Sequence, residues 1–166
     1  MQREASQVID GLVDERELVF KFFGVFSRFE CALKRASFLK TQEKAEVDWD
    51  KYANSIPGRF ATVSEQGFKR ACDFLEKEPP RTQVVTDGRL DWRDTPQGAG
   101  EIEERYLLRL VSTVRNNLFH GGKWPYPCGP VADVARNRQL LEAGLVVLEQ
   151  CLLLSPAVGE AFEEAA

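Results

Sequence analysis

The first long stretch of the chain, residues 14 to 39, carries its apolar side chains at the spacing of an amphipathic helix. At about 100° per residue, these side chains fall on one stripe. Its members are Leu18, Phe22, Val25, Phe26, Phe29, Ala32, Leu33 and Ala36. Phe20 lies nearly opposite this stripe. Because such a helix must bury its stripe against another element, the pattern predicts helix packed on helix.

Three later segments repeat the helical spacing. A second helix is predicted to begin at Ser64 and to stop before Pro79, a third to span residues 101 to 119, and a fourth to span residues 133 to 154. Glu101, Glu103 and Glu104 stand in the predicted first turn of the third helix, where they complement the helix dipole.

The remaining segments are short or rich in proline and glycine. One or two helical turns are expected between residues 40 and 57, and a short helix restarts after Ser155. Residues 79 to 100 predict an exposed excursion with a small hairpin around Val84, Val85 and Leu90. The predicted fold class is all-α, a bundle of four principal helices with a long decorated loop and a short C-terminal helix.

Length and composition predict one globular domain over residues 1–166. The chain has 166 residues, of which 43% are hydrophobic and 29% charged, with a net charge of -4. This balance argues against a protein that coats nucleic acid through its overall charge, and it leaves room for one locally basic site. Acids in the first fifteen residues argue against a signal peptide, and because the chain has no long apolar run we expect no membrane span. We therefore expect a cytoplasmic protein.

Cysteine, histidine and acid spacing predicts neither a metal site nor a cofactor. The chain has four cysteines and one histidine, without the paired spacing of a zinc site. We expect buried free thiols at Cys31, Cys72, Cys128 and Cys151. The acid pairs Asp48/Asp50 and Asp91/Asp94 are interpreted as solvated turns.

Positive charge is concentrated around the single histidine, His120. Residues 105 to 132 hold four of the 22 basic residues and none of the 26 acidic ones. The polar arc of the third helix places Arg105, Arg109, Ser112, Asn116 and His120 in one row, with Arg115 to one side. A local cluster of this kind on an acidic protein suits one phosphodiester better than a duplex.

The row has a chemical and a purely structural interpretation. Imidazole exchanges a proton near neutral pH, so His120 is a candidate general acid or base. A histidine followed by two glycines is also typical of an ordinary helix C-cap, and surface arginines also serve solubility. The residues by themselves leave both interpretations open.

The stretch VRNNLFHGGK, residues 114 to 123, resembles the signature of the HEPN superfamily. That signature is an arginine, a polar residue directly after it and a histidine about five positions beyond the arginine. Arg115, Asn116 and His120 match it. The similarity extends to SRFECALKR in the first helix and RNRQLLEAGLVVLEQCL in the fourth, and is greatest to small bacterial HEPN-like proteins.

The resemblance implies a metal-independent endoribonuclease of the toxin–antitoxin or phage-defence type, working as a homodimer whose motifs face each other. Its substrate would be single-stranded RNA, and an antitoxin protein is an expected partner. His120 is then assigned as general acid or base, Arg115 as the phosphate clamp and Asn116 as the hydrogen-bonding orienter. Weaker candidates for RNA contact are Arg109, Asn117 and Lys123.

Two other functions are compatible with these residues. The first is a non-catalytic dimer in which Arg115 and His120 bind a nucleotide or a protein partner. The second is a helical adaptor that assembles through the face carrying Phe20.

Overall fold

The computed structural model describes residues 15–120 and 133–164. Each of the predicted helices is present in this part of the chain. In chain order the elements are α1 (Arg16–Arg35), α2 (Trp49–Ala53), a 3-10 helix (Phe60–Thr62), α3 (Gln66–Lys77), β1 (Thr82–Thr86), β2 (Arg89–Arg93), α4 (Glu103–Phe119), α5 (Val134–Leu154) and α6 (Pro156–Glu164).

The small hairpin is also confirmed. Strands β1 and β2 pair antiparallel, with Val85 opposite Leu90. Asp87 and Gly88 form the two-residue turn, with φ of 49° and 75°, as a turn that follows the right-handed strand twist requires. The part of the chain that the structure describes is therefore mostly helical with one two-stranded sheet, and all-α is too simple a description.

The end of α1 lies four residues earlier than predicted. The backbone N–H of Phe38 donates to the Leu33 carbonyl at 2.9 Å, and that of Ser37 donates to the Lys34 carbonyl at 3.1 Å. Ser37 takes the left-handed conformation, with φ of 67°. This pair of bonds is a Schellman motif, which reverses the chain while apolar residues continue in the sequence. The predicted end at residue 39 was wrong because periodicity does not report a cap.

Helix α5 packs against α1, α3 and α4 and forms the centre of the core. The predicted stripe of α1 faces it, and none of the stripe's residues is exposed. Helix α5 approaches α1 closely at Gly144, where an added Cβ would lie 2.9 Å from Cε2 of the Phe22 ring. Phe22 is fully buried. Glycine is therefore needed here for close packing of the two helices.

Helix α2 belongs to a lid over the core. Tyr52 is fully buried, and its hydroxyl donates to the Cys151 carbonyl at 3.2 Å and lies 3.2 Å from the Ser155 hydroxyl. Burial raises the pKa of Tyr52, so the hydroxyl stays a neutral donor. The Asp48 side chain accepts from the Lys51 N–H at the start of α2. It caps the helix, which is one of the turns predicted between residues 40 and 57.

The chain bends by 109° between α5 and α6. Pro156 opens α6, and the Ser155 carbonyl accepts from the N–H groups of Val158 and Gly159 at 2.9 Å each. Proline at the first helical position suits such a restart because it has no N–H to satisfy. Within residues 15–120 and 133–164, no single helix is long and apolar enough to cross a bilayer; α5 and α6 reach that length only as a bent pair.

The cysteine prediction is right for two residues and wrong for one. Cys72 and Cys151 are buried and free, and burial raises the pKa of each thiol to about 12. Cys31 is exposed because it lies on the outer side of α1, away from the stripe. Cys128 lies outside the described residues.

We expect Gly144→Ala to lower the free energy of unfolding. Overpacking against the fixed Phe22 ring costs about 1–3 kcal/mol, whereas replacing a helical glycine gains only up to about 1 kcal/mol. Gly24→Ala is the matched control, since a Cβ there has nothing within 4 Å. The control should stabilise by about 0.5–1 kcal/mol. Urea unfolding measures both, and equal effects from the two variants would contradict the close approach at Gly144.

Candidate functional site

The last turn of α4 carries Arg115, Asn116 and His120 to one end of the bundle. Val111 and Val114 are fully buried, so the helix must turn its neighbouring polar positions outward. His120 is the C-cap residue, and its backbone N–H donates to the Asn116 carbonyl at 2.8 Å. Asn116 and His120 are exposed, while Arg115 is half-buried.

The guanidinium of Arg115 is held between two phenyl rings. Its Cζ lies 5.7 Å from the centroid of Phe26 and 5.5 Å from that of Phe119, within the range of cation–π attraction. Its Nη1 donates to Oδ1 of Asn116 at 3.1 Å. The rings and the amide contact the guanidinium without neutralising it.

Arg115 differs from the two other arginines of α4 in having no carboxylate partner among the described residues. Arg105 forms an ion pair with Asp50 at 3.1 Å, and Arg109 forms one with Glu101 at 2.7 Å. No carboxylate of the described residues lies within 4.0 Å of the Arg115 nitrogens. Of the three arginines on α4, Arg115 is therefore the one whose charge no described acid neutralises, and it is free to attract an anion.

Arg109, predicted to contact RNA, holds the segment that leads into α4. Its Nε and Nη2 donate to the two carboxylate oxygens of Glu101 at 2.9 and 2.7 Å, and Nη2 also donates to the Pro96 carbonyl at 2.9 Å. These bonds keep the pKa of Glu101 below its usual value. Glu101 thus precedes α4 and does not stand in its first turn. The role of Arg109 in RNA contact stays a prediction, and its guanidinium already has partners within the chain.

Asn117 is also engaged within the chain. Its Nδ2 donates to the Arg81 carbonyl at 2.8 Å, next to the first residue of β1. Together with the Arg109 bond to Pro96, this contact attaches both ends of the hairpin to α4. The amide nitrogen of Asn117 therefore positions the hairpin. Lys123, the remaining predicted RNA contact, lies outside the described residues.

The side chains of Asn116 and His120, which the helical spacing places in one row, form no hydrogen bond with each other in the described part of the chain. Asn116 Oδ1 accepts from Arg115, and the link to His120 is through the backbone. No group of the described residues lies within hydrogen-bond distance of the His120 ring. A catalytic histidine is usually oriented by a third group. Within the described chain, such an orienting group is absent.

Sequence reasoning did not find the contact between Phe23 and Phe119. Their ring centroids are 5.3 Å apart, and the residues are 45% and 48% exposed. Phe20, which was expected to lie off the stripe, is 74% exposed and stands one turn before Phe23. We call Phe20, Phe23 and Phe119 the aromatic patch. Phe23 also lies off the predicted stripe, and this position was the feature of the sequence that could have indicated its exposure.

Glu104 is a second feature that the sequence analysis missed. It stands in the first turn of α4, as predicted, and is 1% exposed. Its Oε1 accepts from the Phe60 N–H at 3.0 Å, and its Oε2 has no partner in the described part of the chain. The signal was its spacing of three, four and seven residues from Leu107, Leu108 and Val111. This carboxylate anchors the 3-10 helix to α4.

The acidic pairs do not form a metal centre in the described ranges. No group of three His, Cys, Asp or Glu side chains there could hold a metal ion. Asp48 caps α2, Asp50 pairs with Arg105, and Asp91 accepts from the neighbouring Trp92 N–H at 2.7 Å. Each of these three acids already has a structural partner.

Comparisons of the chain with protein-family models, with curated proteins and with solved structures found no match. The likeness of residues 114 to 123 to the HEPN signature therefore stays a prediction. Its functional meaning must be inferred from the chemistry at the end of α4.

We expect Arg109→Gln to destabilise the fold at neutral pH by about 1 kcal/mol, because Arg109 is 39% exposed and water screens part of the ion pair. The pKa of Glu101 is lower in the folded chain, so the pair stabilises above the ordinary glutamate value of about 4.3. That contribution is lost as the pH falls through the lowered pKa. The variant and the parent protein should therefore converge in stability in acid.

Urea unfolding between pH 3 and pH 7 measures this convergence. Lys77→Gln is the control, since the Lys77–Asp73 pair is exposed on both sides and should contribute little. A constant difference between Arg109→Gln and the parent protein over the whole range would contradict a charge-dependent role for the pair.

Proposed function

We propose that this chain is a HEPN-like, metal-independent endoribonuclease that cleaves single-stranded RNA at a composite site formed by a homodimer. One observation supports this proposal above the others. Arg115 is held by two rings and an amide, has no carboxylate partner among the described residues, and stands at the same helix end as the only histidine.

The residues suit transesterification at a phosphodiester. A base takes the proton of the 2′-hydroxyl, and the 2′-oxygen then bonds to phosphorus. The bond from phosphorus to the 5′-oxygen breaks as an acid protonates that oxygen, leaving a 2′,3′-cyclic phosphate and a free 5′-hydroxyl. His120 can serve as base or acid. Arg115 supplies positive charge where negative charge develops on the phosphorane oxygens.

A second copy supplies what one chain lacks. The reaction needs both a base and an acid, and each chain has one histidine. Pairing about a twofold axis brings a second His120 and a second Arg115 to the same phosphate. The exposure of His120 at a helix end permits this approach. An antitoxin protein that covers the same end would block both the pairing and the substrate.

A non-catalytic dimer that binds a nucleotide or a protein partner is the second candidate. The specific observation in its favour is that Asn116 is bonded to Arg115, which leaves the His120 ring without an orienting group in the described chain. An unneutralised arginine can bind a phosphate without any proton transfer.

We expect the purified protein to cut single-stranded RNA in the presence of EDTA and to leave 2′,3′-cyclic phosphate ends. Arg115→Ala and His120→Ala should each lower the rate at least about 100-fold, the usual contribution of a positioned acid–base group or charge clamp. Gel analysis of end-labelled RNA measures this. Arg35→Ala is the control. Arg35 pairs with Glu164 and lies about 18 Å along α1 from Phe23, which stands at the end of the bundle that carries the site.

Two results would contradict the ribonuclease proposal. One is the absence of EDTA-resistant cleavage by a folded protein, and the other is full activity of folded His120→Ala. If the protein still binds an oligonucleotide through Arg115 in either case, the binding function replaces it. Sedimentation provides an independent check, since a stable monomer near 18.8 kDa under assay conditions would contradict the composite site.

A further inference from the structure

We infer that Phe23 and Phe119 form a stacking platform for an unpaired nucleobase whose phosphate is bound by Arg115. The inference deepens the proposed function, from which it takes RNA as the ligand. It adds a base-binding subsite, which the Arg-Asn-x-x-x-His motif does not imply, and a physical reason for the single-stranded substrate.

The platform and the guanidinium form one continuous surface. Phe119 stands four residues after Arg115 on α4, so the two side chains share a face. Phe23 stands three residues before Phe26 on α1. Phe26 is 3% exposed and Phe119 is 48% exposed, and their ring centroids lie 5.7 and 5.5 Å from the Arg115 guanidinium. Phe119, which also contacts Phe23, is therefore the ring beside Arg115 that a ligand can reach.

The distribution of exposed aromatics points to this end of the molecule. In the described part of the chain, the phenylalanines among the exposed large hydrophobic residues are Phe20, Phe23 and Phe119. Phe23 and Phe119 contact each other beside Arg115, and Phe20 stands one helical turn before Phe23. Clustered exposed rings are unfavourable in water, and such a cluster marks a binding surface more often than scattered single residues do.

A nucleotide fits this surface better than an apolar protein face does. An apolar partner would remove Arg115 from water without a counterion, and an uncompensated buried charge is strongly unfavourable. A nucleotide provides a flat base for the rings and an anionic phosphate for the guanidinium. Stacking on aromatic side chains beside a positive groove is how single-stranded nucleic acid is commonly bound. A base inside a duplex could not reach the rings.

Substitution by leucine separates base stacking from simple apolar contact. Phe23→Leu and Phe119→Leu keep an apolar side chain of similar bulk and remove the ring. The probe is a single-stranded 2′-O-methyl oligonucleotide, which has no 2′-hydroxyl proton and so cannot be cut by the proposed reaction. An abasic oligonucleotide of the same length retains the phosphates and lacks the bases. Fluorescence anisotropy measures both affinities.

We expect the double leucine variant to lose about tenfold or more in affinity for the base-containing probe. Its affinity for the abasic probe should fall much less, and that of Phe23→Leu alone should hardly change, because the rings in contact with Arg115 are those of Phe26 and Phe119. Phe119→Trp in the Phe23→Leu background should recover part of the loss. The control is Phe162→Leu, which removes a ring lying 4.8 Å from the guanidinium of Arg28, and it should bind like the parent protein.

Each contrary result has a distinct meaning. Unchanged affinity of folded leucine variants, or equal affinity of the parent protein for both probes, overturns the platform. Loss of dimer in sedimentation with unchanged affinity per subunit also overturns it, and assigns the patch to contact between copies. Base-dependent binding without any cleavage of 2′-hydroxyl RNA overturns the ribonuclease proposal and leaves the platform standing.

Discussion

The burial of the inner face of α4 is the constraint on which the site depends. Val111 and Val114 are fully buried. Once one face of a helix is buried, the helical geometry fixes which residues lie on the opposite face. Arg115, Asn116 and Phe119 are therefore placed at the surface by the packing of side chains that have no chemistry of their own. The same burial brings Arg115 against Phe26 of α1, so the guanidinium is held by the core that forms the fold.

The three arginines of α4 have different partners. The first two are neutralised by Asp50 and Glu101, and in this way they attach the lid and the segment after the hairpin to the bundle. Arg115 has aromatic neighbours instead of acidic ones. A guanidinium between rings keeps its charge, whereas one paired with a carboxylate loses most of its field at a distance. The anion-attracting end of α4 follows from this difference in partners.

The order and number of the helices could be predicted because they depend on local periodicity and on the positions of proline and glycine. Boundaries were less accurate, since the Ser37 cap ends α1 through hydrogen bonds that periodicity does not report. The candidate site was predictable only in outline. Arg109 and Asn117 looked free in sequence, yet each is bonded to a segment distant in the chain. Glu104 was predicted only as a first-turn acid, yet it is buried and accepts a hydrogen bond from the 3-10 helix.

By itself, the sequence determined that this is a mostly helical protein with a single histidine at the end of its third long helix, in a stretch free of acids. These properties depend only on the identity and spacing of residues that are neighbours in the sequence. Tertiary structure decided which arginine keeps its charge and which phenylalanines remain exposed. The partners that settle both questions come from other elements of the fold, and only packing brings them within contact distance.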